Sequence, residues 1–558
     1  MARRSRRRRC RTAGASSRVP RVLPVRRFGR EAPCRRSSGS GCRPAGRRAD
    51  VGSRERFRAW RVSVGGSSAS RRGRRTVALH TTNQRRHDPR GRAAGRHGAR
   101  AGDADGVRVP RVRRPPTPER SGLAVRTGPP SPCAPMDGAA VSGPAPGEPE
   151  LDEARLRAAL AAARSIFVAG GAACPSTVVE WLNRHPEATA DREWIFAQPA
   201  GYAQPPLRAP GGRVRVFFHL PEMAGAPEVE LVPMQYREIA RWLAEPDRLD
   251  LVIAQVAPSP AGLSLGLGVD FLPAALSGGR RLLVERNRSL PAAMGAPVLP
   301  LSRAEVVCDS AVAPAEVEPG DASPTVQRIA EQVAALIDDG DCLQLGVGAL
   351  PDAVLSRLHS RRDLGIHSGM VSDGVRQLVQ YGAVTGARKT IDRHLLVTGF
   401  LLGSADLYRW ATNEPTLRLR PVGYTHDAGV LASLRQLVSI NSAVEVDLLG
   451  QVNAERIGGR AVSGVGGQVD FLRAASASPG GRSILALPAT AARGSASRIV
   501  ARIAEGAVVT SCRTDVDWVV TEWGSARLRG ATESERRERL IAVAAPEFRD
   551  DLTRGSST

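Results

Sequence analysis

The 34 residues from Asp341 to Gly374, DCLQLGVGALPDAVLSRLHSRRDLGIHSGMVSDG, constrain the fold of this chain more than any other stretch. The apolar run Cys342–Val347 predicts a buried strand. Gly346, Gly348 and Pro351 mark a turn, and Asp352 suits the N-cap of a helix whose apolar stripe is Ala353, Val354, Leu355 and Leu358. A second strand, Leu364–His367, ends in Ser368-Gly369-Met370, and Asp373-Gly374 open the next helix. Strand, glycine turn, helix and strand form a βαβ unit with a right-handed crossover. Open α/β sheets bind ligands at the carboxyl ends of their parallel strands. The turns at Gly346, Gly348 and Gly369 are therefore candidate site positions.

The chain around this unit follows the same grammar. Strands are predicted at Ser165–Ala169, Arg213–Phe218, Leu249–Val256 and Arg281–Glu285, then at Leu395–Leu402, Val438–Val446, Ser483–Leu487, Ala507–Ser511 and Val516–Thr521. Helices are predicted at Leu151–Ala163, through Val178 to Leu182, around Ile239 and Trp242, and at Val326–Ile337. Thr532-x-x-Glu535 is a capping box for the last helix, ending near Ala544. Strands alternating with helices predict an α/β fold with parallel or mixed sheets. The Pro- and acid-rich segment Val312–Pro324 suggests a boundary between domains spanning 151–315 and 322–558.

Charge separates the first 135 residues from the rest. They hold 37 arginines, no lysine and 7 acidic residues, whereas the remainder holds 43 basic and 48 acidic residues. The net charge of +25 therefore belongs to the leading segment. With few large apolar residues it cannot bury enough surface to offset chain entropy, and residues 1–150 are expected to be disordered. Three origins fit it. It could bind nucleic acid through its arginines; nucleic acid is a partner only by that route. It could be an Arg-rich transit peptide. It could also be GC-rich sequence upstream of a start at Met136, which the composition change favours. No apolar run is long enough for a bilayer span. Eight cysteines form no CxxC pattern, so neither a metal site nor a disulfide framework is expected, and a reduced cytoplasmic protein is. Lys389 is the only lysine and no glycine precedes it, which excludes a Walker A loop.

Six segments, LQLGVGALPDAVLSRL, LGIHSGMVSDG, SINSAVEVDLLGQVNAE, SGVGGQVDF, SILALPAT and VVTEWGSARLRG, stand in one order and spacing. On them the chain from about Leu151 to Leu552 resembles the acetyl-CoA hydrolase/transferase family. Ala169–Pro175, Val232-Pro233 and the loop Pro258–Gly262 add looser matches. The resemblance implies two open α/β domains of the CoA-transferase type with the active-site cleft between them. It also implies a homo-oligomer, and an acyl-CoA reacting with a carboxylate or water. Coenzyme A is then a substrate, with no permanently bound cofactor. The implied mechanism is covalent: a glutamate attacks the thioester, and the glutamyl-CoA it forms is resolved by a second acid or by water. That glutamate belongs to a His-Ser-Glu-Met segment. This chain has His367-Ser368-Gly369-Met370, so the nucleophile is missing.

Other residues compete for a role. Gly464, Gly466 and Gly467 could present N–H groups to a thioester oxygen or to CoA, or simply form a tight turn. Gly346 and Gly348 carry the same two readings. GVGALP lacks the third glycine and the later acid of a dinucleotide site. Asn441 could hydrogen-bond the acyl carbonyl or be a structural amide. Among Glu445, Asp447 and Glu455, Glu445 is the candidate for a relocated general base; all three also suit a structural role. Glu445 and Asp447 would share a face if their strand continued. Ser264, in Gly262-Leu-Ser-Leu-Gly266, would serve a serine thioesterase. However, a loop between Val256 and the serine breaks the strand–Ser–helix succession that a nucleophile elbow needs. His367 could be catalytic or a structural donor. Three functions follow: a short-chain acyl-CoA hydrolase or CoA-transferase, a non-catalytic acyl-CoA-binding homologue, and a serine thioesterase.

Overall fold

Mostly apolar runs form the central strands, because a parallel strand covered on both faces has no solvent side; the buried polar exceptions include Gln255, Gln344 and Ser439. The computed structural model describes residues 149–197, 207–220, 225–317, 322–346 and 348–555, all within the compact unit Ser131–Thr558. The expectations for residues 1–148, including the start at Met136, lie outside the described residues, as does Val347.

The structure is mixed α/β with two main sheets. The first has ten strands. Its path runs Glu150–Leu151, Glu305–Ser310, Arg281–Asn287, Leu251–Ser259, Ser165–Ala169, Glu193–Ala197, Arg213–Val216, Val229–Leu231. Every neighbouring pair on it is parallel except the first. The strand Leu251–Ser259 outruns the path and folds back on Gly262–Ser264, which in turn pairs with Val298–Leu299. The second sheet has six strands, in the order Gly365–Ile366, Cys342–Leu345, Leu437–Asn441, Arg482–Ala486, Trp518–Thr521, Gly524–Arg527. It is parallel up to the final hairpin. One continuous apolar core draws on both sheets, from Leu156 and Ile253 to Leu343 and Ile484.

Several local expectations are corrected. Leu151 pairs with Cys308, and the helix begins at Glu153, where Asp152 accepts the Arg155 N–H at 2.9 Å. The helix after the first glycine turn starts at Ala349 with Gly348 as N-cap, at φ 126°. Asp352 therefore lies inside the helix rather than at its cap, and accepts a bond from Ser372 Oγ at 2.8 Å. The predicted strand Leu395–Leu402 is two strands, Leu396–Thr398 and Phe400–Leu401. Between them Gly399 and Phe400 both donate to the Gly369 carbonyl, at 3.0 and 3.2 Å, so the ladder changes partner there. Val438–Val446 also divides. Leu437–Asn441 stays in the large sheet, while Glu445–Asp447 joins a small one with Val452–Asn453 and Ile499–Val500. Ala507–Ser511 makes no strand beyond the bridge of Ser511 to Val452. The capping box at Thr532 is present, and its helix ends at Val543; a further helix, Arg549–Gly555, follows the break at Pro546.

Candidate active site

Strands Cys342–Leu345 and Leu437–Asn441 are parallel neighbours, so their carboxyl ends deliver Gln344, Gly346, Asn441 and Ser442 to one place. Opposite stand Phe218 and Tyr236, from the first-sheet half of the chain. Between them opens a cleft of about 330 Å³. The loop Ser463–Gln468 and Gly369 are part of its lining. The loop is tied down by the Tyr236 N–H, which donates to the Gly466 carbonyl at 3.1 Å. Gly464 lies so close to the Phe217 carbonyl that a Cβ would overlap it, and Gly466 has φ 63°. These two glycines are required by close approach and by positive φ respectively.

No carboxylate, lysine, arginine or cysteine is among the described residues lining the cleft; Tyr236 and His426 are its titratable side chains. His426 is buried and follows the single-turn helix Val422–Thr425. Asp427 behind it caps the helix Ala428–Ala432 by accepting the N–H groups of Gly429 and Val430 at 2.8 and 3.0 Å. The ring stacks on Tyr236, with centroids 4.9 Å apart and planes at 22°, and meets Phe471 edge-on at 4.7 Å. Its Nδ1 is 2.9 Å from Thr425 Oγ1. Burial first, and then the neighbouring His367, push its pKa down to about 3, so the ring is neutral at physiological pH. Burial, with the Asp270 carboxylate nearby, holds the Tyr236 phenol well above its usual value.

Of the residues singled out from sequence, Gly346, Gly369, Asn441, Gly464, Gly466 and Gly467 line this cleft. Gly348 lines an adjoining cavity of about 340 Å³ that shares Gly346, Asn441 and Ser442 with it and is walled by Leu350, Pro351, Ile440 and Pro488. Asn441 Nδ2 donates to Gln344 Oε1 at 3.0 Å and to Ser439 Oγ at 2.8 Å. Both amide hydrogens are engaged, so Asn441 has no N–H left for an acyl carbonyl, and the expected bond to that carbonyl is not available; the pattern is that of a structural amide. Gln344 Oε1 takes bonds from Ser439 and Asn441, which leaves its Nε2 as a donor at the cleft.

The other candidates are elsewhere. Glu445 does not line the cleft; its carboxylate accepts from Asn453 Nδ2 at 3.0 Å and Ala504 N at 3.2 Å. Asp447 accepts three bonds from Leu449 and Gln451, and Glu455 accepts from Thr510 Oγ1 at 2.7 Å. Ser264 is buried on a hairpin strand, where its Oγ accepts the Gly266 N–H at 3.2 Å and no helix follows directly. His367 faces the interior: Nε2 donates to the Thr425 carbonyl at 3.2 Å and Nδ1 has no hydrogen-bond partner. Lys389 is buried, its Nζ donating to the carbonyls of Ile366 and Leu395. His426 and Gln344 were not singled out from the sequence. The signal for His426 was its place between two helix starts, Pro421 and the capping Asp427.

Residues 403–556 match the acetyl-CoA hydrolase/transferase C-terminal domain. A 4-hydroxybutyrate coenzyme A transferase of Clostridium kluyveri is 40% identical over 306 residues, 54% of this chain and 71% of that one. The chain belongs to the acetyl-CoA hydrolase/transferase family. The crystal structure of RipA from Yersinia pestis superposes with a TM-score of 0.64 at 33% identity, covering 71% of this chain and 93% of that one. That of a 4-hydroxybutyrate CoA-transferase from Porphyromonas gingivalis gives 0.60 at 33% identity, covering 72% and 95%. Among the described residues no helix is long and apolar enough to cross a membrane, and no cluster of side chains is arranged to hold a metal ion.

Proposed function

We propose that this chain binds short acyl-CoA thioesters in the cleft and releases CoA to water rather than passing it to a carboxylate. The observation that carries the reading is Gly369: in the lining of the cleft, where the family resemblance expects glutamate, there is no side chain to hold an acyl or CoA group. In this reading the walls belong to segments 151–315 and 322–558. Gln344 Nε2 faces the thioester oxygen, together with N–H groups of Gly467 and the first turn of the helix Gln468–Ala477. Fixed donors aimed at a developing oxyanion usually lower the barrier to acyl transfer more than any other single effect. Gly346 and Gly348 leave open backbone for the substrate, and the adjoining apolar cavity takes its apolar part. Coenzyme A is a substrate, not a resident cofactor.

Acetyl-CoA incubated with the protein, with and without propionate, tests this. Free thiol should accumulate at the same rate in both, with no propionyl-CoA. Propionyl-CoA formation would restore a transferase. Tight CoA binding without thiol release would instead favour a non-catalytic acyl-CoA-binding protein, the second reading that the bare Gly369 supports.

A further inference from the structure

A cleft with no carboxylate among its described lining residues still needs a proton acceptor if water is to attack a thioester. We infer that His426 Nε2 is that acceptor and stands where the side chain of residue 369 would have been; this rests on the hydrolytic reading above. A Cβ built on Gly369 falls 3.0 Å from His426 Cε1 and 3.3 Å from Nε2. The imidazole edge thus occupies the space into which a longer side chain at 369 would grow. The ring is not free to yield it. Tyr236 covers one face, Phe471 abuts an edge, and Gly467 lies so close that a Cβ there would fall on Nε2.

The hydrogen-bond pattern also orients the ring. The Thr425 hydroxyl lies 3.4 Å from the Pro421 carbonyl and donates to it. With the hydroxyl proton on that carbonyl, Oγ1 accepts His426 Nδ1–H at 2.9 Å and the lone pair falls to Nε2, between Gly369 and Gly467; this is the tautomer the proposal requires. His367 acts one step back as a positioning residue, since its Nε2–H holds the Thr425 carbonyl at 3.2 Å. Burial keeps the His426 ring unprotonated at neutral pH, and the same burial makes it a weaker base than free imidazole, which sets its contribution at the low end of the general-base range.

The chemistry balances without a further reactant. Nε2 accepts a proton from water as the water oxygen bonds to the thioester carbon. The tetrahedral intermediate collapses with cleavage of the C–S bond. The CoA thiolate takes the proton back from the imidazolium, giving CoA thiol and a carboxylic acid that ionises in solvent. Nothing covalent is left on the protein, so an acceptor carboxylate has nothing to resolve.

The test is acetyl-CoA hydrolysis by the full chain and by His426→Gln, with CoA binding measured separately. General-base catalysis contributes about 10²–10⁴-fold. His426→Gln should therefore lose about a hundredfold or more in kcat while KM and CoA affinity stay within about threefold. The wild type should also show a normal solvent deuterium isotope effect on kcat that is absent from the residual rate. His426→Asn serves if the glutamine variant does not fold. A variant keeping kcat within about threefold, or an unchanged isotope effect, overturns the assignment and leaves the hydrolytic reading standing. No thiol release by the wild type removes that reading and the assignment with it.

Discussion

His367 and His426 meet at Thr425 from opposite sides, one at its carbonyl and the other at its hydroxyl. Both rings are buried, and both are held neutral, at about 4 and about 3 respectively, chiefly by desolvation. They differ in what the second nitrogen faces. The free Nδ1 of His367 points into packed interior without a partner, whereas the Nε2 edge of His426 borders the cleft. Adjacency to Gly369 in the sequence pointed to the first; packing against Gly369 in space points to the second. An imidazole becomes reactive through what its outer nitrogen meets, and chain neighbourhood does not decide that.

The largest effect that would sharpen this contrast is at Gly369. Gly369→Glu alone drives a side chain onto a clamped ring, and acetyl-CoA hydrolysis should fall about a hundredfold, as for loss of the base. Combined with His426→Asn it should gain propionyl-CoA formation from acetyl-CoA and propionate, read by mass spectrometry as a glutamyl-CoA adduct. Transfer by the single variant would show that ring and carboxylate fit together, contrary to the packing.

Next is a pair of glycines. Gly467→Ala puts a methyl on His426 Nε2, and overpacking of this kind destabilises by about 1–3 kcal/mol. Gly346→Ala has nothing within 4 Å of its new Cβ and should change the unfolding free energy by less than about 0.5 kcal/mol. Denaturant melts compare them directly, and equal losses would place His426 away from Gly467.

The third concerns pH, and here the two histidines should behave alike. Each binds a proton below about 6.5 when unfolded but not until about 4 or about 3 when folded. The unfolded state is therefore favoured as pH falls through that window, and each ring removes about 2 kcal/mol of stability between pH 7 and pH 5. Asp270, pushed up to about 7 by burial, works in the opposite sense, since its folded form keeps a proton that the unfolded form releases. The histidine effect must be read as a difference: His367→Gln and His426→Gln should each lose less stability than wild type on acidification. A missing effect in His426→Gln alone would mean that its ring is hydrated.

Smallest is a control remote from both rings. Thr532→Ala removes a capping box and should lower stability by about 1 kcal/mol with acetyl-CoA hydrolysis unchanged. Altered hydrolysis would couple that helix to the cleft.

The fold was legible in the sequence where a single physical demand dominated. Ser165–Ala169 is legible to the residue because the fully buried run Ile166–Ala169 is apolar throughout, and Thr532–Glu535 because a helix start needs its orphan N–H groups met. VSINSAVEV and LLVTGFLL each read as one strand in the sequence and fold as two. Propensity does not show where a chain leaves one sheet for another, as at Ser442 and Gly399. The site was half legible. Gly346, Gly369, Gly464, Gly466 and Gly467 line one cleft and Gly348 lines the cavity beside it, while Glu445 and Ser264 are engaged elsewhere. His426 escaped because it lies between two helices of a single turn, too short to show a period.

The bond from the Tyr236 N–H to the Gly466 carbonyl reaches further than its 3.1 Å suggests. It stitches the start of the helix Tyr236–Leu243, from one half of the chain, to the loop Ser463–Gln468 of the other. One backbone bond thus joins two walls of the cleft that come from distant parts of the chain. In the proposed function, the choice of acyl group would then depend on residues that pack the first sheet as well as on those that touch the substrate.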